Sequence, residues 1–132
     1  MQVRRFASAL VVCALMGSWG CAVLTDQQAM FHETQRRYTN LMRFTDFDRA
    51  RAFVAPDARQ AFSERTAALN GIHFTDYSIV DVENGPNRAT VTVNYSGYRA
   101  SSPVLVSFSE QQEWQLANNL WTVRPTLEEH PQ

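Results

Sequence analysis

The chain has 132 residues, a length that suits one domain built around one hydrophobic core. Its hydrophobic content of 45% is ordinary for a globular protein and excludes a chain that is disordered throughout. The 12 basic residues, all arginines, face 13 acidic residues, and no run of arginines is longer than a pair. A nucleic-acid surface needs a clustered positive field, so nucleic acid is not expected as a partner.

The first 20 residues follow the order of a secretory signal peptide. Arg4 and Arg5 precede an apolar run over 6–16, and small residues then lead up to Gly20. The run is 11 residues long, whereas a membrane-spanning helix needs about 20. A buried N-terminal helix is disfavoured by the two arginines and by the lack of a polar stripe. We therefore predict that residues 1–20 are removed on export.

Cys21 is predicted to be the first residue of the mature protein. Cys13 leaves with the leader, so the mature chain holds one thiol and cannot form an intramolecular disulfide. A free thiol is a liability in an oxidising compartment, and a thioether to diacylglycerol removes it. The junction resembles the bacterial lipobox, whose last two positions Gly20 and Cys21 match. Ser18 and Trp19 depart from it, since that motif favours Leu first and a small residue second.

The lipobox resemblance implies lipidation of Cys21 with acyl chains such as palmitate, and residues 21–25 as a tether. Ala22, rather than Asp, follows the cysteine, which implies attachment to the outer membrane facing the periplasm. The alternative is ordinary signal cleavage, before Cys21 or after Ala22, which would give a soluble periplasmic protein.

From Thr25 onward the apolar residues follow a helical period. The pattern predicts a helix over about 26–44, capped by Thr25 or Asp26. Its main apolar side holds Met30, Thr34, Leu41 and Phe44, with Phe31, Tyr38 and Met42 beside it. Capping oxygens in 45–48 start a second short helix over 49–54, Pro56 breaks it, and a third helix ends at Asn70-Gly71.

After Gly71 the period becomes two, which predicts strands over 74–83, 88–99, 103–116 and 120–125. Turns are predicted at 84–87 and 117–119, and the polar tail 126–132 is expected to fray. The second strand places Ala89, Val91, Val93 and Tyr95 on one face, and the third places Val104, Val106, Phe108 and Trp114 on one face. Helices followed by an antiparallel meander predict an α+β domain with the helices on one face of the sheet.

This order resembles the NTF2-like (cystatin-like) superfamily, in which a curved sheet of about four strands wraps a long helix as a cone. The resemblance covers about residues 25 to 125. It rests on the segment FTDFDRARAFVAPDARQAF, the strand ATVTVNY and the hairpin QEWQLANNLWTVRP. The resemblance implies an NTF2-like domain over 26–125 and assigns no catalytic residue, because the superfamily is functionally diverse.

Residues suited to metal, cofactor or nucleophilic chemistry are scattered. His32, His73 and His130 lack the spacing of metal ligands, so neither a metal nor another cofactor is predicted. No serine or cysteine lies in a nucleophile motif, and no glycine-rich loop precedes a helix.

Acid–base chemistry is the enzymatic alternative. Ketosteroid isomerase-like relatives with this fold use a carboxylate and a tyrosine in the cone. The available parts here are Asp76, Asp81, Tyr77, Tyr38 and Tyr95, and no family motif maps onto them. Strand alternation turns Asp81 inward, with Tyr77, and we expect both aspartates to be solvated acids near strand ends.

Seven aromatic residues are predicted either to line a pocket for a small apolar ligand or to fill the cone as ordinary core. They are Phe31, Tyr38, Phe62, Tyr95, Phe108, Trp114 and Trp121. The opposite sheet face is polar at Ser107, Ser109, Gln111, Glu113 and Gln115. That face would suit a homodimer or an envelope protein partner, or it is simply solvated.

Together these features predict an exported cell-envelope protein, bound to the membrane through its N-terminal lipid, that acts as a non-enzymatic binding or assembly module. The first alternative is a small isomerase-like or dehydratase-like enzyme that uses the cone. The second is a purely structural envelope lipoprotein.

Overall fold

The computed structural model of the chain describes residues 19–130. Side chains are described from Asp26 onward, apart from that of Pro103. Most of the predicted signal peptide, residues 1–18, therefore lies outside the described residues, and so do Pro131 and Gln132. Within residues 19–130, no helix combines the length and the apolar character needed to cross a membrane.

Helix α1 spans Trp19–Arg43 and is longer at its start than the pattern predicted. Thr25 and Asp26 consequently lie inside the helix and do not cap it. The helix ends where Thr45 takes a positive φ of 56° and its amide donates to the Met42 carbonyl at 3.0 Å. This left-handed residue turns the chain back toward the sheet.

The face that α1 buries also differs from the predicted one. The buried residues are Phe31, Gln35, Tyr38, Thr39 and Met42, whereas Met30 is 50% exposed and Phe44 is 69% exposed. The predicted side was wrong because two neighbouring stripes of α1 are both partly apolar. The sheet selects the stripe whose polar members, Gln35 and Thr39, find hydrogen-bond partners inside the core.

Two further helices follow the corner. Helix α2 spans Phe47–Ala50, and the Asp46 side chain caps it by accepting from the Arg49 amide at 3.4 Å. It continues as a 3-10 turn over Arg51–Phe53, so the predicted helix over 49–54 starts two residues earlier and ends irregularly. A second 3-10 turn, Pro56–Ala58, leads into helix α3, Arg59–Ala67. Helix α3 ends three residues before the predicted stop at Asn70-Gly71, and a turn over 68–71 follows it. Gly71 takes the predicted left-handed conformation, with a φ of 84°.

Four antiparallel strands form one sheet in the order β1-β2-β3-β4. Their bounds are Ile72–Asn84, Arg88–Arg99, Ser102–Ala117 and Leu120–His130. The predicted strand over 88–99 is confirmed at both ends. The predicted frayed tail is wrong over residues 126–130, because β4 stays paired with β3 as far as Ser107 opposite His130. Strand β3 has 16 residues, and its backbone forms hydrogen bonds with residues 126–130. The polar composition of these residues does not indicate this pairing.

The predicted α+β class is confirmed, with helices packed on one face of a curved four-stranded antiparallel sheet. The core contains the alternate residues Ala89, Val91, Val93 and Tyr95 of β2, as the alternation predicted. In β3, Val106, Phe108 and Trp114 are buried as predicted, but Val104 is exposed near the hairpin end. One polar cluster lies within this apolar layer.

Candidate functional site

Glu110 lies at the centre of the cone and is 0% exposed. It belongs to β3, where Phe108, Glu110, Gln112 and Trp114 alternate onto the inner face of the sheet. The flanking strands β2 and β4 present Val93 and Leu127 opposite it. A carboxyl group is thereby held in surroundings that are otherwise mostly apolar.

Three neutral donors converge on this carboxyl group. The Tyr38 hydroxyl of α1 donates to Oε2 at 2.7 Å, and the Tyr95 hydroxyl of β2 donates to Oε1 at 2.9 Å. The Gln112 amide nitrogen donates to Oε1 at 2.6 Å. Within residues 19–130 no arginine or histidine forms an ion pair with Glu110. The group is therefore satisfied by hydrogen bonds and lacks a compensating cation.

Gln112 extends the cluster to the rest of α1. Its amide nitrogen also donates to Thr39 Oγ1 at 3.1 Å, and its amide oxygen accepts from Gln35 at 3.2 Å. The same oxygen accepts from the Trp114 indole at 3.1 Å. We call Gln35, Tyr38, Thr39, Tyr95, Glu110 and Gln112 the polar cluster. It fixes the position of α1 on the sheet, because each of its members depends on another for its hydrogen bonds.

Burial sets the electrostatics of the cluster. It raises the pKa of Glu110 above the usual value of 4.5, and it outweighs the hydrogen bonds from Gln112, Tyr38 and Tyr95, which lower this pKa. Burial, followed by the nearby Glu110 carboxylate, raises the pKa of Tyr38 and of Tyr95 well above 10.0. Chemically, the arrangement holds a proton on or beside a desolvated carboxyl group.

Glu110 and Gln112 were missing from the residues singled out in the sequence. The signal that could have found them was present, since a strand with Phe108 and Trp114 inward must also turn 110 and 112 inward. Charged and amide side chains are normally expected on the solvent side, because burial without partners is costly. Their partners lie on α1 and β2, and the sequence pattern of β3 does not indicate them.

The predicted inward position of Asp81 is wrong. Asp76 lies opposite Ser96 and Asp81 opposite Thr92, both on the outer face of β2, and both aspartates are exposed. Register shifts between Phe74 and Asp76 and between Ile79 and Asp81 cause this. Each bulge adds one residue and reverses the alternation that follows it. Tyr77 remains on the inner side, and its hydroxyl donates to Asn40 at 3.3 Å.

The seven aromatic residues predicted for the cone are all buried. Trp114 stands edge-on to Phe31, with ring centroids 5.9 Å apart, and to Tyr38 at 5.6 Å. Phe31 packs on Trp121 at 4.9 Å, and beside these two rings lies a cavity of about 20 Å³. That volume suits a single water molecule, so at this end the aromatic residues fill the cone.

Larger recesses lie on the surface. One of them has a volume of about 560 Å³ and lies between α2, α3 and the start of β1. Phe62, Leu69 and Ile72 form part of its apolar lining, while Arg51 and His73 are among its polar residues. We call this recess the α3 groove. Of the seven predicted aromatic residues, Phe62 is the one that contributes to it.

The predicted metal and sheet-face residues are also placed. His32, His73 and His130 are exposed and separate, and no group of three potential metal ligands occurs within residues 19–130. On the outer sheet face, Gln111, Glu113 and Gln115 are exposed, and Ser107 and Ser109 are half-buried. The predicted cleavage junction Gly20-Cys21 lies inside α1, and the Cys21 side chain lies outside the described part.

Compared with known proteins, the chain matches no protein-family model, and no curated protein matches it. A SEC-C motif-containing protein from Rhodopseudomonas palustris superposes with a TM-score of 0.58 at 17% identity, over 74% of this chain and 77% of that one. An NTF2-like protein from Cytophaga hutchinsonii superposes with a TM-score of 0.56 at 12% identity, over 79% of this chain and 98% of that one. At these identities the likeness shows a shared fold, and the chain has the α+β fold of NTF2-like proteins.

Proposed function

We propose that this protein is an exported, lipid-anchored, non-enzymatic binding module of the bacterial cell envelope, and that the α3 groove is its ligand site. The observation that carries the proposal is the contrast between a closed interior and an open surface recess. Glu110 is fully buried, while a recess of about 560 Å³ opens beside α3.

The closed interior argues against catalysis in the cone. A general acid or base must reach its substrate within hydrogen-bond distance. Both tyrosine hydroxyls that face Glu110 already donate to it, and the Trp114 ring packs beside Tyr38. A substrate would have to displace this packing before it could meet the carboxyl group.

The α3 groove has the properties of a ligand site. Its volume lies within the range of about 300–1,000 Å³ that is typical of small-molecule pockets. An apolar lining that includes Phe47, Phe62 and Leu69 would hold the body of a ligand. Arg51 and Asp48 in the same lining would orient its polar groups, and neither forms an ion pair within residues 19–130. This chemistry suits a small amphipathic molecule.

Two neighbouring alanines at the end of α3 provide a matched test. Ala67 lines the groove and Ala68 does not, and both are exposed. We expect a panel of amphipathic carboxylic acids and amides to shift the NMR signals of groove residues in the wild type and in Ala68→Trp. Ala67→Trp, which fills the groove, should abolish these shifts. If no compound shifts the groove signals, the purely structural alternative is favoured.

Export and lipidation are supported by the leader and by the Gly20-Cys21 junction. Mass spectrometry of the N-terminus of the mature protein should find Cys21 carrying diacylglycerol and acyl chains. Cys21→Ser should abolish the modification and leave an unprocessed or differently cut chain. An unmodified N-terminal residue in the wild type, at 21 or beyond, would favour the soluble periplasmic alternative. Attachment to the outer membrane is tested by separating the two membranes.

A second candidate function, acid–base catalysis in the cone, is favoured by one observation. A desolvated carboxyl group with a raised pKa lies within hydrogen-bond distance of two tyrosine hydroxyls. Catalysis requires that the interior opens far enough for a substrate to reach Glu110, whereas the binding function does not. Labelling with a carbodiimide and an amine under native conditions should spare Glu110 if the protein is a binding module. Rapid labelling of Glu110 would favour the enzyme.

A further inference from the structure

A stripe along one side of helix α1 carries apolar residues that the core does not fully bury. Its members are Met30, Thr34, Arg37 and Leu41 of α1 and Phe44 directly after its end, spaced alternately by four and three residues, which places them along one side of the helix. Phe44 is 69% exposed, the highest value among the exposed large apolar residues of the described chain, and Met30 is 50% exposed. Single exposed apolar residues are common on protein surfaces, whereas contiguous ones mark interaction sites.

The stripe borders a surface recess of about 370 Å³ at the C-terminal end of α1. Its apolar lining residues are Leu41, Phe44 and Phe53, and its charged lining residues are Arg37 and Arg49. We call Met30, Arg37, Leu41, Phe44, Arg49 and Phe53 the Phe44 patch. Apolar rings next to guanidinium groups are the composition of surfaces that lie in a membrane interface.

Charge separates this region from the rest of the mature chain. Residues 30–53 hold five arginines against three acidic residues, whereas residues 21–132 as a whole hold 10 arginines against 13 acidic residues. Arg36 and Arg37 form neither an ion pair nor a hydrogen bond with another described side chain. The Arg43 guanidinium lies over the Phe44 ring, 4.7 Å from its centroid. Arg43 also donates to the Thr75 carbonyl at 2.7 Å, and Arg49 forms an ion pair with Asp46 at 3.5 Å. Arg36 and Arg37 therefore contribute the positive charge that is free to meet an anionic surface.

We propose that the Phe44 patch lies against the headgroup layer of an anionic phospholipid membrane. The proposal rests on the proposed lipid anchor, because Cys21 belongs to the same helix and would bring α1 to the membrane. A second copy of the chain fits less well. Any two-fold pairing centred on the middle of the stripe would bring Arg37 close to its own copy, and like charges there repel. Phospholipid phosphates would instead neutralise Arg37, and would compete with Asp46 for the exposed Arg49, while the rings enter the interface.

The test uses the protein as cells process it, reconstituted in phosphatidylcholine vesicles with or without phosphatidylglycerol. An environment-sensitive fluorophore is attached to Met30→Cys, on the stripe, or to Leu120→Cys, at the exposed first residue of β4. We expect a blue-shifted emission at position 30 in the anionic vesicles alone, and an aqueous emission at position 120 in both. Phe44→Ser or Arg37→Gln should reduce the shift at position 30, whereas the control Arg88→Gln should not.

Three results would overturn the proposal. One is the same emission at positions 30 and 120, and another is a shift that does not depend on phosphatidylglycerol. The third is a shift that persists in detergent together with a dimer, which would assign the patch to a second copy. The lipid anchor is tested separately, by mass spectrometry of the N-terminus of the mature protein. A lipidated Cys21 together with an aqueous emission at position 30 would contradict the membrane contact of the Phe44 patch and leave the lipid anchor in place. A blue shift at position 30 in a Cys21→Ser background would support the membrane contact without the lipid anchor.

Discussion

The Tyr38 hydroxyl donates a 2.7 Å hydrogen bond to Glu110, which joins the middle of α1 to the middle of β3 across 72 residues of sequence. Both side chains are fully buried. Tyr95 and Gln112 complete the donors around the same carboxyl group. A polar contact at the centre of an apolar core therefore joins α1 to the sheet. The free energy of unfolding should depend on whether Glu110 is protonated.

Glu110 should make the stability of the protein depend on pH. Because burial raises its pKa in the folded state above the usual 4.5, the folded protein binds this proton more tightly than the unfolded chain does. The resulting stabilisation is complete below pH 4.5 and is lost as the pH rises through the folded pKa. Glu110→Gln should flatten this part of the profile, measured as the urea midpoint at successive pH values.

Asp57 provides an internal reference with the opposite sign. Its hydrogen bonds with Arg124 lower its pKa from 3.8, so its contribution is present above that value and is lost as the pH falls. Asp57→Asn should therefore flatten the slope of the profile on the acid side and remove the Asp57 contribution at higher pH without changing the slope there. If Glu110→Gln keeps the wild-type slope above pH 4.5, the carboxyl group is not the source of the dependence.

Tyr38→Phe should destabilise the protein by about 1–3 kcal/mol, the usual cost of removing one partner from a buried polar group. The ring and its packing on Trp114 remain, so the loss reports the hydroxyl. Tyr77→Phe is the matched control, since its hydroxyl makes one longer bond to Asn40 at a half-buried position. Equal losses for the two variants in chemical denaturation would show that the Glu110 hydrogen bond is unimportant.

Trp114→Ala should cost about 3–5 kcal/mol, because it removes the largest buried side chain and leaves a cavity between α1 and the sheet. Total stabilities are about 5–15 kcal/mol, so much of the population should unfold or melt far below the wild type. Leu120→Ala, at the 64% exposed first residue of β4, should stay within about 0.5 kcal/mol of the wild type. A Trp114→Ala melting temperature within a few degrees of the wild type would contradict this account of the core.

Gly97→Ala should destabilise the sheet by about 1–3 kcal/mol through overpacking. A Cβ at position 97 would lie 2.4 Å from the His73 carbonyl oxygen, so the backbone of β1 would have to move. Gly97 pairs with Phe74 next to the first bulge, where the two strands come close. Ser96→Ala, at the exposed neighbouring residue, should leave the unfolding free energy nearly unchanged. Similar denaturation midpoints for the two variants would argue against the close approach.

Local features of the sequence determined most of the secondary structure. Strand β2 alternates cleanly between Ala89 and Tyr95, and its predicted bounds are confirmed, because a regular strand with one buried face repeats every two residues. Gly71 ends the segment after α3 because its left-handed φ is available to glycine without a steric penalty. These features depend on neighbouring residues alone, so the sequence pattern reveals them directly.

Tertiary structure decided the candidate site. The strand pattern predicts Asp81 on the inner face and does not indicate Glu110, because bulges reverse the alternation of β1 and because a buried carboxyl group needs donors that β3 alone does not supply. The donors Tyr38 and Tyr95 lie 72 and 15 residues away in sequence. The buried side of α1 was decided in the same way, because two stripes competed and the sheet offered hydrogen-bond partners to only one. Long-range packing decides which polar groups meet in a core. The local periodicity of a helix or strand does not indicate these contacts.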